Sequence, residues 1–319
     1  MAGSLRRPRA SHQPSSASPT DTAGLVAGLA TVALWGSAFV GIRAAESLSP
    51  GALALGRLVV STVVLTAVAF LRRERLPRPR DLLSIAAYGV LWLAIYSVAL
   101  NAAERRIDAG TAAMLIATGP ILIAVLAGFL LGEGFPPNLF LGCALAFAGS
   151  SMIGIGTARS AAPAALGIAL CVLAVIAYSL AVVVQKPVLV RVSSFQVIWL
   201  GCVAATLVCL PFAPALVSEA AKADLRVIGW VVYLGLFPTA IGFATWGFAL
   251  RQTTAGRTGS MLYLVPLVAV VLGWALLRET PPVLALVGGA FCLIGVYLAR
   301  RPSAARQQPL VANEAQANS

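Results

Sequence analysis

The chain repeats itself once, at a fixed offset of 146 residues, and each copy carries five apolar spans. From Ala109 to Gly149 against Ala255 to Gly295 the two registers run without a gap. Ala109-Gly110 meets Ala255-Gly256, Pro120 meets Pro266, Glu133 meets Glu279, and Gly142 and Gly149 meet Gly288 and Gly295. An odd number of spans per copy forces the second copy into a bilayer upside down relative to the first. Inverted repeats of this kind build secondary transporters, whose substrate site lies near mid-membrane between the copies. The predicted fold class is therefore all-α integral membrane, with ten transmembrane helices arranged as two inverted five-helix repeats.

Composition leads to the same class by another route. The chain is 59% hydrophobic and 11% charged, with mean hydropathy +0.90, which no ordinary soluble domain matches. The spans read as 24–43, 51–71, 82–102, 111–131, 138–157, 164–185, 195–217, 226–249, 258–277 and 283–299. Each is close to the ~20 residues a helix needs to cross ~30 Å of hydrocarbon. The repeats occupy 24–157 and 164–299. Residues 1–23 and 300–319 are polar tails expected to be disordered and cytoplasmic. The Ser-, Pro- and Arg-rich start resembles a transit peptide weakly; a basic tail that holds the N-terminus inside is the preferred reading.

The net charge of +12 does not indicate nucleic acid, because the cations follow the membrane. Of the 23 Lys and Arg, 15 fall on the side of the termini and seven on the other, with Arg57 inside a span. The densest group is Arg72, Arg73, Arg75, Arg78 and Arg80 in one loop. The positive-inside rule places that loop and both termini in the cytoplasm. The five cysteines all fall inside spans without metal-ligand spacing and read as small packing residues.

Certain strings carry a family resemblance. The first span contains Ala33-Leu34-Trp35-Gly36-Ser37-Ala38-Phe39-Val40, and Arg57 follows early in the second. The fourth span ends in Gly132-Glu133 before Pro136-Pro137, and the ninth in Glu279 before Pro281-Pro282. A glycine-spaced span follows each hairpin. Over residues 24 to 300 this resembles the EamA-type branch of the drug/metabolite transporter superfamily. The resemblance implies an exporter or exchanger of amino acids, other small metabolites or drugs in a bacterial inner membrane. The Trp-Gly-Ser string does not recur in the second copy, which shows Ala177-Tyr178-Ser179-Leu180 instead. The two halves therefore offer different side chains to a shared cavity.

Substrate contacts are sought among polar and aromatic side chains deep in spans, since an ionisable group in hydrocarbon is costly and usually faces a cavity. Arg57 heads them. Its planar fork suits a carboxylate; the alternative is snorkelling to the interface. Tyr88, Trp92 and Tyr96 recur every four residues and share one face of the third span. Trp92 falls near mid-span, which favours cavity lining over an interfacial belt. Trp35, Ser37, Tyr178, Gln185, Trp199, Trp246 and Tyr263 complete the expected substrate-binding set, and Gln196 is a similar side chain within a span. Pro120 and Pro266 occupy matched positions and are expected hinges, static kinks being the alternative. Pro238, beside Thr239, predicts a helix break in the second copy only. Glu133 and Glu279 are read as structural caps of their own hairpins, where a carboxylate bonds the free amides of the next helix.

Other chemistry finds no residues to stand on. There is no phosphate-binding loop, no nucleophile with a base, and the single histidine is His12 in the tail. No enzyme, cofactor or metal site is expected. The expected partners are a small-molecule substrate and the lipid bilayer, not nucleic acid, with a homodimer left open. A non-transporting scaffold or receptor, and a nucleotide-sugar-like carrier of the same superfamily, are the alternative readings.

Overall fold

The computed structural model describes residues 19–106, 115–157, 165–277 and 282–301. They are helices joined by short turns and loops, with no strand among the described residues, and eight of the helices are long and apolar enough to cross a membrane. These are Thr22–Ile42, Pro50–Leu71, Pro79–Ala103, Ala165–Val188, Ser194–Ala220, Leu225–Gln252, Ala255–Leu272 and Val283–Arg300. Two shorter apolar helices, Gly119–Leu130 and Pro137–Ile153, lie where the fourth and fifth spans were expected. Turns and starts follow local chemistry. Pro50 and Pro79 open helices where a missing amide costs nothing. Ser193 and Gln196 form a reciprocal capping box on the helix from Ser194.

The helices Pro137–Thr157 and Val283–Arg300 pack along their whole length. A Cβ at Gly142 would stand 2.5 Å from the Gly295 carbonyl oxygen, and one at Gly149 2.4 Å from the Gly288 oxygen. Only glycine permits so close a backbone approach. The pairing is reciprocal: residue 142 faces 295 and residue 149 faces 288, the same two positions exchanged between copies. Ala146 and its own equivalent, Cys292, meet at the centre, the thiol 3.5 Å from the carbonyl oxygen. The two helices run antiparallel, so the local two-fold relation has its axis across them rather than along them.

Two helices contain π-helical segments, Gly89–Tyr96 and Gly235–Ile241. Their first residues stand 146 positions apart, so both copies carry the irregularity, and the expectation of a break at Pro238 in one copy only is corrected. The shared feature is a glycine at the start. Gly89 lies against the Gly201 backbone and Gly235 against the Arg57 carbonyl. Proline is not what creates the segment; it changes who satisfies it. Pro238 has no amide to donate, and the Thr239 hydroxyl donates to the Leu234 carbonyl at 2.8 Å.

The matched prolines lie at matched breaks. Gly119–Leu130 begins after a turn at 117–118, with Pro120 in its first turn. The helix Ala255–Ser260 gives way to a 3-10 turn, Met261–Tyr263, before Leu264–Leu277, which places Pro266 in the first turn of the second piece.

Candidate substrate cavity and its closure

A cavity of about 1130 Å³, its open mouth included, lies between the two halves. Trp35, Arg57, Trp92, Tyr96, Tyr178 and Tyr263 from the expected set line it, and Pro120 and Pro266 do as well. Ile42 and Asn101, near the helix ends at Ala44 and Glu104, mark the mouth. None of the described residues that line it belongs to the opposite end, where the Arg72–Arg80 loop lies.

Closure begins with an aromatic layer. Trp35 lies 5.6 Å from Trp92, 4.8 Å from Phe243 and 5.5 Å from Trp246, centroid to centroid. Trp92 also packs edge-on to Phe243 at 5.1 Å and Trp246 at 5.4 Å. Trp246 is 1% exposed, so the layer floors the cavity without lining it there. The layer is pinned by the π segment, because the Trp35 indole donates to the Pro238 carbonyl at 3.0 Å. The helix Pro19–Ala44 is further tied to the helix that follows that segment, Gly242–Gln252, through Thr31, Thr245 and the Gly242 carbonyl.

Arg57 projects from the second helix into the cavity wall. Its Nε donates to the Thr239 hydroxyl oxygen at 2.9 Å, and that hydroxyl in turn donates to Leu234. The one hydroxyl proton is thus committed, and the guanidinium plane is set by a segment 182 residues away. Among the described residues no other hydrogen bond holds the fork, which leaves its two terminal nitrogens available to a ligand. Neither Asp nor Glu is among the described residues lining the cavity. On the far wall Tyr263 and Ser150 are 1% and 0% exposed, and neither hydroxyl has a hydrogen-bond partner. Among the described residues, a cation with free terminal nitrogens thus shares a largely apolar cavity with two unpartnered hydroxyls.

The five remaining expected contacts stand elsewhere. Ser37 bonds the Leu34 carbonyl and the Tyr233 hydroxyl, tying the first helix to Leu225–Leu234. Trp199 donates to the Thr66 hydroxyl and stacks on Phe195, so it packs helices away from the cavity. Tyr88, Gln185 and Trp246 lie beyond the aromatic floor, toward the closed end. Gln196 caps its own helix and reaches the Arg75 carbonyl. Sequence reasoning missed Phe243, Ser97, Asn101, Ser150 and Thr239. Asn101 continues from Ser97 at a spacing of four on the third helix, a signal that was present; a single hydroxyl in an apolar span gives none.

The closed end is fastened across the halves. The Glu133 carboxylate accepts from the Ala255 amide at 2.7 Å and the Gly256 amide at 3.2 Å. It therefore caps the helix from Ala255 in the other copy, which corrects the expectation that it caps its own hairpin. The physical reason is local: Gly132 and Gly134 both take positive φ and turn the intervening side chain outward from the hairpin. Glu279 lies outside the described residues. Lys186 reaches the Leu250 and Thr253 carbonyls, at the end of the preceding helix. Arg191 holds the buried Asp81 carboxylate at 2.7 Å. The 250–256 turn is thus gripped at its carbonyls by a cation and at its amides by an anion, as the helix dipoles favour.

Comparison with known proteins agrees with this arrangement. The sequence profile of the EamA-like transporter family matches residues 22–155 and again 165–301. A probable terminal-alkyne amino-acid exporter of Streptantibioticus cattleyicolor is 38% identical over 87% of this chain and 93% of its own. An uncharacterised Bacillus subtilis transporter, YdfC, is 32% identical over 83% of this chain and 87% of its own. A solved crystal structure superposes with TM-score 0.73 at 19% identity, covering 90% of this chain and 99% of that one, a likeness of fold alone. With two profile matches that together span nearly all of the described helices, the chain belongs to the EamA-like transporter family.

Proposed function

We propose that this transporter exports or exchanges an amino acid with a short apolar side chain, by alternating access across a bacterial inner membrane. The observation that carries the reading is Arg57, a cation whose terminal nitrogens have no partner among the described residues, in a cavity that no described acid lines. A carboxylate pairs with that fork bidentately. The substrate's apolar part meets Trp35, Ile42 and Leu100 on the walls, and its ammonium meets aromatic faces and the Tyr263 and Ser150 hydroxyls. The similarity to a relative named as an amino-acid exporter supports the same class.

Ten membrane-crossing helices in two inverted copies, 24–157 and 164–299, complete the proposal. The reciprocal contact of 142 and 149 with 295 and 288 supports inversion, because an axis lying across antiparallel helices lies in the membrane plane. With the Arg72–Arg80 loop and both termini in the cytoplasm, the cavity opens outward and the fastened end faces in. Pro120 and Pro266, at the breaks that line the cavity, are the bending points in this reading.

The test is flux through purified protein in liposomes. L-propargylglycine and L-leucine should exchange, while L-leucinamide, which lacks the carboxylate, should not. Equal flux of leucine and leucinamide refutes the assignment of Arg57 to a carboxylate.

A further inference from the structure

We propose that Tyr178 is the positioning residue of the bend before Gly119–Leu130: its phenol takes the place of the amide that Pro120 lacks, and so ties that bend to the second half of the molecule. The inference rests on the alternating-access reading above, in which the halves move against one another.

The need for a donor arises in the sequence of the bend. In a continuous helix the amide of residue 120 would donate to the Ile116 carbonyl, four residues back. Proline has no amide, so that carbonyl loses its donor at the place where the chain turns, 117–118. Backbone carbonyls away from water are almost always paired. The Tyr178 hydroxyl donates to Ile116 at 3.0 Å, from the helix Ala165–Val188, 62 residues further along. Ser179, the next residue, adds a longer bond from its hydroxyl to the Gly119 carbonyl at 3.4 Å.

The fit is specific to one copy. A Cβ at Gly119 would fall on the Tyr178 hydroxyl oxygen, so only glycine leaves room for the phenol there. Position 265, the repeat equivalent of 119, is Val. Pro266 removes the corresponding amide, whose helical acceptor would be the Leu262 carbonyl. That break closes on itself instead, because after the 3-10 turn Met261–Tyr263 the Leu264 amide points back to the Met261 and Leu262 carbonyls. Of two matched breaks, one is self-contained and the other is completed by a side chain from the opposite half.

The place of the ring gives that bond a part in transport. Tyr178 lines the cavity together with Ile116, Ala117 and Pro120. It packs against Tyr96 at 5.4 Å and Trp92 at 5.8 Å, centroid to centroid, and both of those line the cavity too. The bend, the cavity wall and the joint between the halves thus share one hydroxyl. A bond made in the outward-open arrangement and broken when the halves shift favours that arrangement by its own free energy.

Tyr178→Phe deletes the hydroxyl and keeps the ring. It should lower the melting temperature in detergent by about 2 °C. The second readout is Gln185→Cys, in a background lacking the five native thiols, labelled by an impermeant thiol reagent applied from the fastened side. Tyr178→Phe should raise that labelling rate roughly fivefold, the weight of one hydrogen bond in a two-state equilibrium. Pro120→Ala gives the Ile116 carbonyl a donor in its own helix. In that background, adding Tyr178→Phe should leave the melting temperature in place and change labelling by less than about twofold. Equal melting shifts from Tyr178→Phe in both backgrounds overturn the replacement of the amide. A lowered melting temperature with labelling unchanged makes the phenol a local brace and overturns its positioning role. If Gln185→Cys labels from the fastened side in no variant, with L-propargylglycine or without it, alternating access itself is refuted, and the amide replacement is judged by the melting temperatures alone.

Discussion

Arg57 and Thr239 form one unit. Nε is consumed by the hydroxyl, the hydroxyl by the Leu234 carbonyl, and the direction of the remaining fork follows from both. Arg57→Ala should weaken binding of a carboxylate substrate by about 1.5–3 kcal/mol, or roughly ten- to hundredfold in flux at low substrate. Arg57→Lys keeps the charge but has no Nε to bond Thr239, and should recover only part. Thr239→Val removes the hydroxyl without changing side-chain size and should raise the half-saturating concentration several-fold, while Thr239→Ser restores it. Equal flux in Arg57→Ala and the parent at matched insertion would return Arg57 to a structural role. At this scale the sequence is informative for rare side chains and silent for common ones. An arginine or tryptophan within an apolar span is conspicuous because it is expensive there. Thr239 is one hydroxyl among many, and its meaning comes from a partner 182 residues away. Tyr88, Gln185 and Trp246 were legible as polar atoms in spans, but which side of a floor they occupy depends on packing that no spacing encodes.

At the scale of elements, eight of the ten expected spans are helices long and apolar enough to cross a membrane, the fourth and fifth falling on shorter apolar helices; glycine spacing marked Pro137–Thr157 and Val283–Arg300 for close approach, and the structure pairs them with each other. Two features escaped. The π segments have no diagnostic residue beyond a glycine at the start, and Pro238 pointed to one copy because only one copy has it. The Glu133 cap was misassigned because a Glu beside a Pro-bounded turn reads as local; the hydrogen bonds cross to the other half. Glycine identity allows a sharp test of the helix pair. A Cβ at Gly149 would stand 2.4 Å from one backbone oxygen and 2.7 Å from a backbone nitrogen, atoms that cannot rotate away. Gly149→Ala should destabilise by about 1–3 kcal/mol. Gly229, in the exposed interior of Leu225–Leu234, has nothing within 4 Å of its would-be Cβ. Gly229→Ala should be neutral or stabilise by about 0.5–1 kcal/mol. Thermal unfolding in detergent separates the two, and equal effects would show that the close approach does not matter.

At the scale of the molecule, orientation and energetics meet. If the basic loop is cytoplasmic, reporters fused after Arg301 and within 72–80 read inside, and one inserted near 222 reads outside; an outside reading for 72–80 removes the outward-open interpretation of the cavity along with it. Energy coupling follows from what the cavity contains. Proton-driven transport needs a titratable group that meets both sides in turn, and no described Asp or Glu lines the cavity. The Glu133 carboxylate is held by two amides at the end fastened across the halves, away from the residues that line the cavity. Arg57 keeps its charge throughout, so it can bind and release a carboxylate but cannot carry a proton. Movement down the substrate's own gradient, or exchange, is what such a site supports. Counterflow of L-propargylglycine in liposomes with no pH difference and no membrane potential should therefore run at full rate. Glu133→Gln keeps one acceptor oxygen for the two amides, turns the other into a donor, and loses the charge that the helix start favours, worth roughly 0.3–2 kcal/mol. It should change how often the fastened end opens, read as labelling at Gln185→Cys, without abolishing exchange. Uphill accumulation driven by an imposed pH gradient alone, and lost in Glu133→Gln, would make that carboxylate a proton carrier and refute the gradient-driven account.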